Sequence, residues 1–315
     1  MKKALLTGIS GQDGYYLTEL LTNRGYEVYG ISRKRTELQG TKRIYTLDLG
    51  DYQALSNIMK ALSPNEIYHL AAFHGSSEGL DLNDHELFVK SHTVNVQSTL
   101  NILHAAYTVC PKSRIFYASS SLVFGEPTSS PQNELSPQLP TSIYGITKLA
   151  ATNLCHFYRD RRGLFVSVGI LYNHESPRRG QRFVSKRIVS TAVRIYNGEA
   201  TRLAIGDLEA TVDWGYAGDY VEAMNKILSL NKAEDFVIAN GELHTVKEFI
   251  EVAFSHLGLD WQKYVTVDRN LLPTPSRTLM GDSSKLRKRT GWIPRTNFTQ
   301  LVKILVDTER ENSTR

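Results

Sequence analysis

Apolar residues in the first half of the chain come in short runs that alternate with longer stretches at helical spacing. KALLT at 3–7 is one such run, and GYYLTELLTNRG at 14–25 repeats its apolar positions three and four apart before stopping on Gly25. Runs at 27–31, 43–47 and 65–72 predict strands, and 52–62 and 86–109 predict helices. RIFYASS at 114–120 predicts a further strand, followed by a loop rich in Pro, Ser and Gly. A helix over 142–162 and a strand over 164–171 complete the series. Alternation of this kind implies an α/β fold with a doubly wound parallel sheet. Its ligand crevice is expected beyond the carboxyl ends of the strands.

After residue 172 the rhythm changes. NHESPRRGQRF is polar and turn-rich, and helices are expected over 183–198, 213–228, 244–258 and from 283 onward. DFVIAN at 235–240 reads as one more strand of the sheet. The expected organisation is a nucleotide-binding domain over 1–172, with 212–240 returning to it. A smaller lobe would form from 173–211 and 241–315. A hydrophobic share of 41% supports a sizeable core. The net charge of +5 suits an anionic ligand, but the basic residues are too dispersed for a nucleic-acid surface. Cys110 and Cys155 fall in apolar, helical patterns and read as reduced core thiols. MKKALLTGIS turns polar too soon for a signal peptide, and no apolar run approaches the ~20 residues of a spanning helix. A cytoplasmic protein with no metal site and no membrane partner is expected.

The turn between the first strand and first helix carries Gly8, Gly11 and Gly14, each three apart. In a Rossmann-type fold, Gly8 would end the strand tightly and Gly11 would let the backbone approach a diphosphate. Gly14 would let the helix pack close, and the N–H groups opening that helix would hold the phosphates. The second strand runs into Ser32, Arg33, Lys34 and Arg35 rather than into a carboxylate. Guanidinium suits a 2′-phosphate, which points to NADP with Arg33 as its partner; the alternative is a solvated basic turn. Asp48 is placed either to reach the adenine edge or to cap the helix starting near residue 52.

Chemistry is carried by Ser120, at the end of the fifth predicted strand, and by YGITK, where Tyr144 and Lys148 lie four apart on one helical face. An ammonium beside a phenol favours the phenolate and is expected to lower its pKa. A tyrosinate can take the proton of a sugar hydroxyl while the carbon loses hydride to NADP, and Ser120 can hydrogen-bond the same oxygen.

Nearly the whole chain resembles the extended short-chain dehydrogenase/reductase family in its nucleotide-sugar branch, and within it the GDP-mannose 4,6-dehydratases. The likeness is carried by GISGQDGYYL, YGITK, LYNHESPRRG at 171–180, FVSKRI at 183–188 and GDLEATVDWGYAGDYVEAM at 206–224. DFVIANGELHTVKEF, GDSSKL and GWIPR complete it. The resemblance implies oxidation of a GDP-sugar at C4 with Ser120, Tyr144 and Lys148 as catalytic residues, then loss of water across C5 and C6. It implies NADP contacts from Gly8, Gly11, Gln12, Asp13, Gly14, Arg33, Asp48, Leu49, Leu70, Ala71, Ala72, Tyr144, Lys148, Leu171, Asn173, His174 and Arg179. Sugar-nucleotide contacts are implied for Asn173, Val184 and Arg187, the last standing where the family uses lysine. Arg178 and Arg179 match a loop that meets a neighbouring subunit, so a homodimer or homotetramer is implied.

The chain departs from that family at defined places. The family has a glutamate two residues after the catalytic serine or threonine, and here that residue is Leu122. Glu126, His74 and Glu78 are the nearby candidates for a replacement base. The family's arginine before DWG is Val212, and its late R-P-T-E is Leu272, Pro273, Thr274 and Pro275. Arg202, Arg182 or Arg277 would then have to meet the diphosphate. AAFHGSSEGLDLNDHELF is about five residues longer than its counterpart in the family and should border the crevice. The leading expectation is an NADP-dependent 4,6-dehydratase. A 4-ketosugar reductase, 4-oxidase or epimerase follows because of Leu122, and a non-catalytic dinucleotide-binding sensor is the alternative of another class.

Overall fold

The computed structural model describes residues 1–74, 82–271 and 278–313. Its central sheet holds seven strands, numbered in chain order: β1 (Lys3–Thr7), β2 (Glu27–Ser32), β3 (Thr41–Thr46), β4 (Glu66–His69), β5 (Arg114–Ser120), β6 (Phe165–Leu171) and β10 (Asp235–Ile238). They lie side by side as β10-β6-β5-β4-β1-β2-β3, every neighbouring pair parallel. The chain winds outward from β1 to β3 and resumes on the other side at β4. The order therefore reverses between β1 and β4, which is where a crevice opens in such a sheet.

Alternation along each strand supplies both faces of the sheet. Leu5 of β1 joins Ile67, Ile115 and Val166 on one face, while Ala4 and Leu6 join Tyr68 and Phe116 on the other. Helices α2 (Tyr52–Leu62), α4 (Ser98–Val109) and α5 (Ile143–Arg162) cover the first face, with Met59, Ile102 and Ala151 turned inward. Cys110 and Cys155 are buried and unbridged in the same layer. Helices α1 (Gln12–Asn23), α7 (Ala217–Leu228) and α9 (Ser284–Thr290) cover the second face through Leu17, Met224 and Leu286. Each fully buried side chain of this size contributes about 1.5–3 kcal/mol.

A third core lies outside the sheet. It joins Ile188 and Val193 of α6 (Val184–Tyr196), Phe249 and Phe254 of α8 (Val246–His256), and Leu301 and Val306 of α10 (Phe298–Ser313). Trp214 fills its centre, 5.1 Å from the Phe249 ring and 5.9 Å from Phe298. Trp214 lies on β9 (Thr211–Tyr216), the middle strand of a small sheet. β9 pairs parallel with β7 (Asn173–Glu175) and antiparallel with β11 (Leu243–Thr245). A two-stranded parallel pair, β8 (Leu203–Ile205) with β12 (Val265–Val267), borders the lobe.

Three expected element boundaries are corrected. Residues 211–216 are strand, not the start of a helix, and α7 opens only at Ala217. HTVKEF divides in the same way: Leu243–Thr245 pair as β11, and Thr245 then caps α8 in a reciprocal box with Glu248. The predicted helix over 86–109 is α3 (Asp84–Ser91) and α4, joined by a π-helical stretch, His92–Gln97.

The buried carboxylate of Asp213 ties β9 to the segments that follow β10 and precede α9. It accepts hydrogen bonds from the backbone N–H of Asn240 (3.0 Å), Gly241 (3.0 Å) and Gly281 (3.1 Å). Burial pushes its pKa up to about 6, against the pull of those three donors. Among the described residues, no helix is long and apolar enough to cross a membrane.

Candidate functional site

The turn after β1 is shaped by what surrounds it. Gly8 has φ +71°, and a Cβ there would stand 2.7 Å from the Ala71 nitrogen, so the strand can end against the segment after β4 only with glycine. The Gly11 N–H donates to the Gly8 carbonyl at 3.0 Å, and Gly11 then opens α1 without any side-chain cap. The first N–H groups of α1 are thus left for another acceptor.

Two adjoining cavities meet at this turn. One, of about 300 Å³, is lined by Gly8, Ser10, Gly11, Arg33, Asp48, Leu49, Leu70, Ala71 and Ala72, with Ile31, Leu47 and Val94 as apolar walls. Arg33 is exposed at its rim. Asp48 also lines it and accepts from the Gly50 N–H at 2.8 Å, while the cap of α2 is Asp51, bonded to the Ala54 N–H at 3.0 Å. The other cavity, of about 460 Å³, is lined by Gly8, Gly11, Gln12, Asp13, Gly14, Leu70, Ala72, Ser120, Leu122, Tyr144, Lys148, Leu171, Asn173, His174 and Arg179. The shape suits a dinucleotide: a backbone cradle that a Cβ would fill lies between an apolar slot with a cation at its edge and a polar chamber. Every residue expected to touch the cofactor lines one cavity or the other.

The chamber wall is set by β5 and α5. Ser120 ends β5, and its hydroxyl oxygen accepts from the Leu122 N–H at 3.3 Å, beginning the 3-10 turn Ser121–Phe124. That turn lies directly on the first turn of α5, because a Cβ at Gly145 would meet the Leu122 carbonyl at 2.4 Å. Ser142 caps α5 through the Gly145 N–H (3.2 Å), which puts Tyr144 one residue inside the helix. Lys148 is 1% exposed, donates to the Ala118 carbonyl at 2.8 Å, and holds its Nζ 5.6 Å from the centre of the Tyr144 ring.

Electrostatics here correct the expected pKa of the phenol. Burial pushes the Tyr144 hydroxyl well up; Arg179 pulls it down, and Asp13 pushes it up further. The same burial drives Lys148 down to about 7. Both groups are held in a dry wall, where the charged form of each is disfavoured. The charge that works toward the phenolate comes from Arg179, across the cavity.

Asp13 and His174 form a bridge 161 positions long in sequence. His174 Nε2 lies 2.9 Å from the Asp13 carboxylate and Nδ1 lies 2.7 Å from the Tyr172 carbonyl. Both partners are acceptors, so the ring carries two protons. Burial would lower the His174 pKa, but the Asp13 carboxylate raises it, and in return His174 holds Asp13 below its usual range. Gln12 adds bonds to the His174 carbonyl (3.0 Å) and from the Ser176 hydroxyl (2.7 Å). The glycine turn is thereby tied to β7 of the three-stranded sheet.

Other expected residues are not brought to the cavities. Val184 and Val212 pack against the third core, Arg187 is half-buried on α6, and Arg182, Arg202 and Glu126 are exposed away from the cavity walls. Glu78, Arg277 and Leu272, Pro273, Thr274 and Pro275 lie outside the described residues. Conversely, Phe183 and Leu279 line the larger cavity, and Thr93 and Ser98 the smaller. Buried Asn95 holds the Phe73 main chain at both ends, 2.8 Å to its N–H and 3.2 Å to its carbonyl, and donates to Thr147 at 3.0 Å. A polar residue on the inward side of an amphipathic helix was the available signal for Asn95.

Comparison with known proteins agrees with this geometry. The family described as GDP-mannose 4,6 dehydratase matches residues 5–305. GDP-mannose 4,6 dehydratase 2 of Arabidopsis thaliana is 39% identical, covering 98% of this chain and 87% of its own. The Homo sapiens GDP-mannose 4,6 dehydratase is 36% identical over 98% of this chain and 91% of its own. A solved structure of RMD from Pseudomonas aeruginosa, complexed with NADPH, superposes with a TM-score of 0.84 at 22% identity, covering 99% of this chain and 100% of that one. With the family match spanning nearly the full length, this chain belongs to the GDP-mannose 4,6-dehydratase family.

Proposed function

We propose that the protein is an NADP-dependent 4,6-dehydratase acting on a GDP-hexose, GDP-mannose first. The observation that carries the reading is the convergence of Ser120, Tyr144 and Lys148 on one wall of a cavity whose floor is the glycine turn. Gly8, Gly11 and the opening N–H groups of α1 would hold the diphosphate of NADP, and Arg33 its 2′-phosphate. The chemistry that bound NADP supplies is hydride exchange with the sugar.

The chain's own residues handle protons and position. Tyr144 takes the proton of the C4 hydroxyl, assisted by the Arg179 charge, and Ser120 donates a hydrogen bond to the same oxygen. Lys148, fixed on the Ala118 carbonyl, keeps its Nζ near the phenol ring. Asn173, exposed on the cavity wall, contacts the sugar nucleotide from the smaller lobe. A homo-oligomer belongs to the proposal: α3 and α5 pack together and expose Phe88, Val89, Ile146 and Phe157, an apolar set suited to a second copy.

Incubation with GDP-mannose and NADP tests the reading. A 4-keto-6-deoxy product without net change in cofactor redox state supports it. Leu122 favours one second reading, a 4-ketosugar reductase, because reduction needs no base at C5. That enzyme would consume NADPH only when given the ketone. Failure to transform either compound overturns both.

A further inference from the structure

Loss of water across C5 and C6 needs a group that takes the C5 proton, and the side chain at position 122 is hydrocarbon. Resting on the dehydratase reading, we infer that the imidazole of His74 removes the C5 proton and delivers it to the departing C6 oxygen. In that step the C5–H electron pair becomes the C5=C6 double bond, conjugated with the C4 carbonyl. The C6–O bond breaks, the oxygen leaves as water with the transferred proton, and the imidazole ends as it began. No oxidant or reductant is consumed in the elimination.

Placement carries the inference. His74 lines the same cavity as Ser120 and Leu122. Its ring centre is 4.4 Å from that of Tyr144 and 6.2 Å from that of Phe183, the residue just before α6. It therefore stands between the phenol that handles the C4 oxygen and the lobe that bounds the sugar, and C5 is the carbon bonded to C4. The preceding residue, Phe73, is clamped at both main-chain ends by Asn95, which also bonds Thr147 beside Lys148. The imidazole is thus positioned on the frame that carries Tyr144.

Among the described residues, the cavity's other groups able to take a proton are Asp13, Tyr144, Lys148 and His174. Asp13 and His174 bind each other, and Lys148 holds the Ala118 carbonyl. Glu126 is exposed and outside the cavity wall. Burial, with the charges of Arg179 and Lys148, holds His74 down to about 4, so the ring is unprotonated at neutral pH. An imidazolium formed there is a strong acid, suited to passing its proton to a leaving oxygen.

The test uses a reaction without hydride transfer. The holoprotein is given the 4-keto-6-deoxy GDP-sugar in deuterium oxide, and loss of the C5–H resonance is followed by NMR. Wild type should wash the signal out. His74→Asn and His74→Phe should slow exchange at least about 100-fold, the usual scale for a lost acid–base group. His74→Glu should restore part of the rate, and Glu126→Gln should leave it unchanged. Exchange by folded, cofactor-binding His74→Asn at the wild-type rate overturns the inference. A second readout separates the two readings: His74→Asn given GDP-mannose should accumulate reduced cofactor without 6-deoxy product. If wild type itself neither oxidises GDP-mannose nor dehydrates it, the dehydratase reading fails and the assignment of His74 falls with it; dehydration by wild type and by His74→Asn at equal rates overturns the assignment alone.

Discussion

The half of the crevice beyond β1 to β4 and the half beyond β5 and β6 are assembled differently. On the first side each wall is a short segment following its own strand: Gly8 to Gly14 after β1, Arg33 after β2, Asp48 and Leu49 after β3, Leu70 to Ala72 after β4. On the second side the walls come from distant stretches, with Leu122 on a 3-10 turn, Tyr144 on α5, Arg179 and Phe183 ahead of α6, and Leu279 ahead of α9. The first side presents mostly backbone and small residues as far as Ala72, after which His74 reaches the chamber beside Tyr144. The second presents individual side chains, and there a single exchange such as glutamate for Leu122 changes which proton can move. Cofactor binding and sugar chemistry should therefore separate under mutation.

The largest effect should come from the sugar side. Tyr144→Phe removes the only atom that can take the C4 proton in our scheme, and turnover should fall on the order of 10³-fold with NADP affinity kept. Product formation by NMR and cofactor titration by fluorescence check both halves of that statement; a parallel loss of both would merge the two sides. Next, Arg33→Ala should weaken NADP about 10- to 100-fold, as expected for one lost charge-assisted contact, and leave NAD binding unchanged. Equal losses for the two cofactors would remove Arg33 from the 2′-phosphate.

Lys148 should act on stability without ligand and leave the division between the two sides intact. Its pKa falls from 10.5 to about 7 in the fold. Between those values the unfolded chain holds a proton that the folded chain does not, so stability from this group rises with pH across that window, by at most about 1.4 kcal/mol per pH unit. Urea midpoints of wild type and Lys148→Met from pH 7 to 10 should converge or cross accordingly; parallel curves would contradict the burial argument. The smallest effect is expected at Arg202, which is exposed and away from both cavities. Arg202→Ala should shift stability by less than about 0.5 kcal/mol and leave KM for the sugar nucleotide in place.

What could be read from the chain follows the same division. KALLT, the glycine spacing and the apolar runs predict β1, its turn and the parallel sheet, because each is a local pattern with its own period. YGITK places Tyr144 and Lys148 on one face by helical geometry alone. Strands of three residues, such as β7 and β11, show no period to detect, and TVDWGY of β9 runs without a break into the helical pattern that follows it. The Asp13–His174 bridge and the tilted contact of the His74 ring with Tyr144 join segments that no spacing relates. The depressed Lys148 and elevated Tyr144 depend on how dry the wall is, a property of packing and not of composition.

The third core has a consequence for the birth of the protein. Its apolar partners span Ile188 to Val306, so it cannot close until α10 has been synthesised. The segments bearing the glycine turn, Arg33 and Asp48 all leave the ribosome within the first sixth of the chain. The rest of the nucleotide slot's lining ends at Ser98, so a nascent polypeptide exposes all of it long before α10 supplies the last partner of the third core.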